Sequence, residues 1–136
     1  MILDASTAPD LLQKAVRRFT DAGSSAAAFA QSVGSLAFVA MDEDEVQGWC
    51  WGYRLPRPDG ADMLYLHNLE VAAPYRRRGV GRELLRSFLH AGARLGATRM
   101  FLVTGETNTA ARHLYESMGA GLATQGPTVN YWFVLP

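Results

Sequence analysis

The sequence is poor in cysteine and has no net charge. Its 136 residues include a single cysteine, Cys50, so an internal disulfide is impossible and a reducing compartment is expected. Lysine and arginine together number 13, as do aspartate and glutamate, so no overall field favours nucleic acid or a membrane surface. Apolar residues make up 49% of the chain, which argues against disorder. Because no signal pattern and no long apolar run occur either, we expect one cytoplasmic domain over residues 1–136.

Apolar residues recur at two periods along the chain, which predicts strands interrupted by helices. The predicted strands are Ile2–Ala5, Leu36–Met41, Val46–Leu55, Met63–Val71, Met100–Val103 and Val129–Leu135. The predicted helices run from Ser6 or Thr7 to about Phe19, from Ser25 to about Val33, from Arg78 to Leu95, and from Thr107 or Asn108 to Met118. Asp21-Ala22-Gly23 is expected to end the first helix. This order predicts an α/β sheet whose ligand binds at strand ends.

The stretch from Tyr75 to Arg82, Tyr-Arg-Arg-Arg-Gly-Val-Gly-Arg, leaves a predicted strand and opens a predicted helix. The first turn of a helix carries unpaired N–H groups and the positive end of the helix dipole. Gly79 and Gly81 have no Cβ, so a bulky anion can approach the backbone closely. Cationic side chains surround the same point, namely Arg76, Arg77, Arg78 and Arg82. The stretch therefore predicts a phosphate or pyrophosphate site.

Two common phosphate-binding patterns are missing from the sequence. The Walker pattern G-x-x-x-x-G-K-[ST] does not occur, and Leu84 stands where the dinucleotide pattern needs its third glycine. A nucleic-acid site is also disfavoured, because the arginines are confined to one loop and no aromatic residues interleave with them. The pattern that does fit is Arg76-x-x-Gly79-x-Gly81, preceded by Leu69-x-Val71.

That pattern resembles the pyrophosphate-binding signature of the GNAT superfamily of N-acetyltransferases, in which acetyl-coenzyme A is the donor. The stretch from Asn108 to Gly119 is similar to the second signature of that family, N-x-x-A-x-x-x-Y-x-x-x-G. The order of elements matches across nearly the whole chain. The resemblance implies an α/β (α+β) fold with a mixed, mostly antiparallel, twisted sheet of six or seven strands. About four helices would flank this sheet, which would splay at its central parallel strand pair.

The resemblance also implies how the cofactor is held. Backbone N–H groups of the glycine loop would bind the pyrophosphate, and Leu69–Val71 would pair with the pantetheine arm like an added strand. A backbone N–H of the same strand would polarise the thioester carbonyl. Tyr115 would give a proton to the departing thiolate, which suits a phenol with an ordinary pKa of about 10. No metal is implied, and the implied cofactor-binding residues are Leu69, Val71, Arg76, Arg77, Arg78, Gly79, Val80, Gly81, Arg82 and Asn108.

The general base is the part of the chemistry that the resemblance does not supply. An alkylamine is mostly protonated near neutral pH and cannot attack until a proton leaves. The stretch from Tyr53 to Val71 resembles the small aminoglycoside 3-N-acetyltransferases, which carry an aspartate where this chain has Asn68. Peptide N-terminal alanine acetyltransferases have a glutamate where this chain has Val103. Both inherited candidates are therefore absent.

Three residues can replace the missing base. Glu70 is the first candidate, because strand alternation places it on the same face as Asn68. His67 points to the other face unless a bulge re-aims it. Glu106, after the next predicted strand, is the third. We predict that Glu70 and Tyr115 are the catalytic residues.

The predicted acceptor is a small cationic amine, with an aminoglycoside as the leading candidate and antibiotic resistance as its consequence. Asn68, Asp62 and Glu106 are the predicted substrate-binding residues, because acids near the acetyl group would concentrate a cation. A peptide N-terminus is the second interpretation, and a coenzyme A-binding module with little turnover is the third. No nucleic acid or membrane partner is expected, and a homodimer is allowed for.

Overall fold

A computed structural model of the chain describes residues 1–21 and 23–136. These residues form two compact units, Met1–Gly105 and Glu106–Pro136. The break predicted at Asp21-Ala22-Gly23 includes Ala22, which lies outside the described residues. One domain over residues 1–136 stays a prediction.

The first unit is built on a five-stranded sheet whose strands follow one another in chain order. The strands are β1 (Ile2–Asp4), β2 (Ser35–Asp42), β3 (Glu45–Arg57), β4 (Gly60–Val71) and β5 (Arg99–Phe101). Neighbours pair antiparallel except β4 and β5, which are parallel. The helices are α1 (Pro9–Phe19), α2 (Ala27–Gln31) and α3 (Val80–Arg94). The predicted class, a mixed and mostly antiparallel α/β sheet, is confirmed.

Helices pack on both faces of this sheet. On the α3 face, the strand glycines Gly48 and Gly52 leave room for the side chains of Leu84 and Phe88. Both of those side chains are fully buried, and burial of each contributes about 1.5–3 kcal/mol. The opposite, α1 face buries a cluster that includes Leu12, Ala15, Ala37, Val39 and Trp49. The sheet therefore has a core on each side.

The outer edge of β4 is paired along only part of its length. Met63–Tyr65 pairs with Arg99–Phe101 of β5. Within the described ranges, β4 from Leu66 to Val71 pairs on one side only, with β3. The parallel pair thus opens beyond Tyr65, and the N–H and C=O groups along that edge of β4 have no neighbouring strand.

A bulge in β4 lies next to this open edge. Trp51 pairs with Asn68, whereas the next residue of β3, Gly52, pairs with Leu66, so His67 is the extra residue. Gly52 is required at this point, because a Cβ there would overlap the carbonyl oxygen of Tyr65 and would lie 2.9 Å from Cζ of Phe88. The bulge changes the direction of the side chains that follow it.

The second unit contains α4 (Thr109–Ser117). Its N-cap is Asn108, whose Oδ1 accepts a hydrogen bond of 3.2 Å from the N–H of Ala111. The predicted cap at Thr107 or Asn108 is therefore confirmed at Asn108. The helix is followed by Gly119 with φ 101°, as expected for a residue that closes a helix.

The predicted cap of the first helix is wrong. Ala8 occupies the N-cap position of α1 and makes no side-chain cap hydrogen bond. The hydroxyl of Ser6 instead bonds the backbone of Ala37, accepting from its N–H at 3.0 Å and donating to its C=O at 3.3 Å. Tertiary pairing with β2 has outcompeted the local capping interaction.

The predicted number of strands is also wrong. Among the described residues the sheet has five strands, not six or seven, and Val129–Leu135 forms none. Its large apolar side chains are 73–96% exposed, the set being Val129, Tyr131, Trp132, Phe133, Val134 and Leu135. Apolar alternation shows only that one face could be buried, whereas a strand also needs a backbone partner.

Candidate functional site

The loop between β4 and α3 has the backbone geometry of an anion site. Arg77 and Gly79 both have positive φ, 62° and 81°, directly before α3 begins at Val80. The N-cap of α3, Gly79, makes no side-chain cap hydrogen bond, and the first N–H groups of a helix have no acceptor within the helix. Alternating backbone conformations before a helix dipole gather N–H groups around an anion.

The arginines of this loop have different surroundings. Arg76 donates from Nε to the carbonyl oxygen of Val71 at 3.0 Å, which fastens the loop to the end of β4. The guanidinium of Arg78 lies 6.0 Å from the ring centroid of Tyr75. Arg76, Arg77 and Arg78 are exposed, whereas Arg82 is half-buried on the first turn of α3. Three exposed cations therefore surround the helix start.

Glu70 and Asn68 lie on the α1 face of β4 and touch each other. Nδ2 of Asn68 donates to Oε1 of Glu70 at 2.7 Å. The indole N–H of Trp49, across the strand pair, donates to the same oxygen at 3.3 Å. Both donors orient the carboxylate, and among the described residues no cation pairs with it. The role of Trp49 was not foreseen, although its place in the alternating run Trp49-x-Trp51-x-Tyr53 put it on this face.

The bulge places His67 on the same face as Asn68, its neighbour in the chain. Its imidazole stacks on the indole of Trp51 with ring centroids 4.3 Å apart and planes at 13°. Trp51 also pairs with Asn68 across the two strands, so His67 and Asn68 both lie beside Trp51. Nothing in the sequence signalled the bulge, which arises where Gly52 lets the two strands shift register.

Two acids near the start of β4 are already paired with arginines. Asp62, a predicted substrate-binding residue, accepts from Nη1 of Arg54 at 2.9 Å, and both side chains are 27% exposed. Asp59 accepts two hydrogen bonds from Arg57, and that guanidinium holds the pKa of Asp59 below its usual range. Neither carboxylate is left unpaired to bind a substrate cation.

The remaining predicted site residues belong to the second unit. Tyr115 is half-buried on α4, and Asn108 is the exposed N-cap described above. Glu106 is exposed, and its carbonyl oxygen accepts from Nη1 of Arg112 at 3.0 Å. Their roles stay predictions.

Cys50 is a core residue. Cys50 is fully buried in β3, and burial raises the pKa of its thiol far above the ordinary value. In the part of the chain that the structure describes, no cluster of three or more histidine, cysteine, aspartate or glutamate residues could hold a metal ion. No described helix has the length and apolarity to span a membrane.

Comparison with known sequences identifies one family profile. The profile of the acetyltransferase (GNAT) family matches residues 7–120. Human N-acetyltransferase 8 is 32% identical over 87 residues, which are 63% of this chain and 38% of that protein. The ribosomal protein bS18-alanine N-acetyltransferase of Escherichia coli is 36% identical over 63 residues, 46% of this chain and 43% of that enzyme. The match thus spans about two fifths of these curated relatives.

Solved structures show the same fold at low sequence identity. An aminoglycoside acetyltransferase from an uncultured soil metagenomic sample, bound to sisomicin, has a TM-score of 0.85 at 16% identity and covers 100% of this chain and 96% of its own. The aminoglycoside acetyltransferase AAC(6')-Iy, bound to a bisubstrate analogue, has a TM-score of 0.76 at 18% identity, with 99% and 98% covered. At such identities the likeness establishes the fold alone.

Proposed function

Since the chain belongs to the acetyltransferase (GNAT) family, we propose that it moves the acetyl group of acetyl-coenzyme A to a primary amine. The amine attacks the thioester directly in a ternary complex, so that a C–N bond forms and the C–S bond breaks. The acceptor is a small cationic amine, with an aminoglycoside as the leading candidate. We propose further that the enzyme is cytoplasmic and can form a homodimer. Acetylation of an aminoglycoside would confer antibiotic resistance.

One observation carries the cofactor site. The helix start with positive φ at Arg77 and Gly79 follows directly on the unpaired edge of β4. The pyrophosphate binds the N–H groups from Arg77 to Arg82, and the pantetheine arm pairs with Leu69–Val71 as an added strand. Arg76, bonded to Val71, holds the loop and the strand end together. Asn108 is a further proposed cofactor-binding residue.

The reacting groups are assigned by their chemistry. A backbone N–H near Leu69–Val71 stabilises the oxyanion that develops on the thioester carbonyl. Glu70 accepts a proton from the ammonium group of the acceptor, directly or through a water, and the neutral amine that results attacks the thioester. Asn68 and Trp49 fix the orientation of Glu70. Tyr115 protonates the leaving thiolate. Glu106 and Asp62 are the predicted substrate-binding acids. The ion pair of Asp62 with Arg54 makes its carboxylate less available to a substrate cation.

A second acceptor class has its own support. The alanine acetyltransferase of Escherichia coli is 36% identical over 63 residues, so a peptide N-terminus is the alternative acceptor. A coenzyme A-binding module with little turnover is the third candidate, because neither family acid is present at Asn68 or Val103.

Two linked measurements test the proposal. Calorimetric titration with coenzyme A reports the cofactor site without any acceptor. Thiol release from acetyl-coenzyme A is then followed with aminoglycosides, polyamines and peptides. Turnover with an aminoglycoside supports the leading candidate, and turnover with peptides alone moves the assignment to the second. Tight binding without release across the panel identifies the third, and no binding at all refutes the proposal.

A further inference from the structure

We propose that three rings on the α1 face bind a ring of the acceptor next to its reactive amine. They are the half-buried Tyr65 and the exposed His67 and Phe101. These residues are called the ring shelf below. The inference rests on the proposed acetylation of an amine and deepens it. It names the acceptor as an amine carried on a ring with an apolar face, in preference to an open-chain amine.

The ring shelf is the exposed end of a continuous aromatic array. Phe101 stacks on Tyr65 with ring centroids 5.8 Å apart and planes at 24°. Tyr65 meets His67 edge to face at 5.6 Å, and His67 stacks on Trp51 at 4.3 Å. Inward of Trp51 the array continues into the core through Phe29, Tyr53, Trp49 and Phe19.

Exposure distinguishes the shelf from core packing. Phe101 is 42% exposed, and His67 is exposed as well, whereas Trp49 is 5% exposed. Trp51 stacks on the His67 imidazole, and Tyr65 meets it edge to face. Rings held rigidly by buried neighbours but open on the outside offer contact area at little entropic cost.

The shelf also adjoins the proposed reaction centre. Tyr65 is the last residue of β4 that pairs with β5, and His67 is the bulged residue just before the edge assigned to the cofactor. His67 shares the α1 face with Tyr65, two residues before it, and the bulge brings Asn68 and Glu70 onto the same face. Bulges near active sites commonly re-aim a side chain in this way.

The charges on this face fit one ammonium group better than many. Among the described residues, Glu70 has hydrogen-bond donors but no cationic partner, whereas Asp59 and Asp62 are paired with Arg57 and Arg54. One unpaired carboxylate beside exposed rings complements one ammonium joined to a ring. An open-chain polyamine could place an ammonium group at Glu70, but it has no ring for the shelf.

Two kinds of amine offer an apolar ring face beside an ammonium group: those carried on an aromatic ring and amino sugars, through their C–H groups. Three test amines distinguish these from an open chain. Tryptamine, glucosamine and cadaverine represent the aromatic ring, the sugar ring and the open chain. We expect the wild-type protein to have a higher kcat/KM for one or both ring-bearing amines than for cadaverine. Phe101→Leu keeps the apolar bulk and removes the ring, so it should lower that ratio by about three- to tenfold.

Two further variants control the experiment. Phe101→Tyr retains a ring and should preserve the ratio. Leu95→Ala removes a side chain of similar exposure, 47%, at the end of α3, and should change nothing. Coenzyme A titration of each variant checks that the fold and the cofactor site are intact.

The outcomes separate this inference from the proposed function. An unchanged ratio in a coenzyme A-binding Phe101→Leu protein overturns the ring shelf while leaving amine acetylation in place. So does a wild-type protein that prefers cadaverine. A shift in oligomeric state on Phe101 substitution, with the ratio unchanged, means that a second copy covers these rings and also overturns the inference. Failure of the wild-type protein to acetylate any amine defeats the proposed function first.

Discussion

The amide nitrogen of Asn68 donates to Oε1 of Glu70 across 2.7 Å, and the two side chains lie on the same face of β4. Asn68 stands where the aminoglycoside 3-N-acetyltransferases that this chain resembles carry an aspartate. Its amide here orients the carboxylate of Glu70. The N–H groups of Asn68 and Trp49 both donate to Oε1 of Glu70, so they hold the carboxylate in one orientation. A general base needs such a fixed position relative to the proton that it accepts.

Glu70→Gln should lower kcat/KM by roughly a hundredfold, because it removes a proton acceptor while keeping the shape of the side chain. The acid-side rise of kcat/KM with pH should be lost at the same time, since that limb reports deprotonation of the base. Rate profiles of Glu70→Gln and His67→Asn, measured side by side, provide the comparison. If only His67→Asn removes the limb, the base is His67 and our assignment is wrong.

Tyr115→Phe should lower kcat at least about tenfold and leave KM for acetyl-coenzyme A nearly constant. The reason is that the hydroxyl acts mainly as the thiolate departs, so its loss falls on the transition state. Tyr131→Phe is the matched control, because Tyr131 is 82% exposed. Equal kcat values for the two variants, with chemistry rate-limiting, would show that Tyr115 only packs.

Gly52→Ala should reduce the free energy of unfolding by about 1–3 kcal/mol, because the new methyl group meets the Tyr65 carbonyl and the Phe88 ring. Gly60→Ala, at a glycine with nothing within 4 Å of the added Cβ, controls for glycine replacement itself. Urea denaturation measures both. Similar midpoints for the two variants would mean that the β3–β4 bulge tolerates a side chain.

Much of the fold was predictable because it depends on local patterns. The apolar run ending at Val71 and the glycine loop placed β4 and α3 within a few residues of where they lie. Asn108 was predictable as a cap because its side chain acts on its own helix. Ser6 and Val129–Leu135 were misjudged, because their states depend on partners distant in sequence that no local pattern specifies.

The candidate site was predictable to a similar extent. Glu70 and Asn68 followed from strand alternation, whereas the position of His67 on their face depends on a register shift opposite Gly52. Asp62 pairs with Arg54 on the neighbouring strand. The number of acids available to bind a substrate was therefore overestimated from the sequence. Side-chain partners, unlike strand faces, cannot be derived from spacing alone.

The binding of coenzyme A at the start of α3 is the central claim, and calorimetry on Gly81→Asp tests it most directly. An aspartate in the first turn of a helix interacts favourably with the helix dipole, but at Gly81 it places a side chain and a like charge against the pyrophosphate. We expect Kd for coenzyme A to rise about a hundredfold or more, with wild-type thermal stability. Gly121→Asp adds the same charge at an exposed glycine with nothing within 4 Å of an added Cβ, and should bind as the wild type does. Wild-type affinity in a folded Gly81→Asp protein would contradict the account.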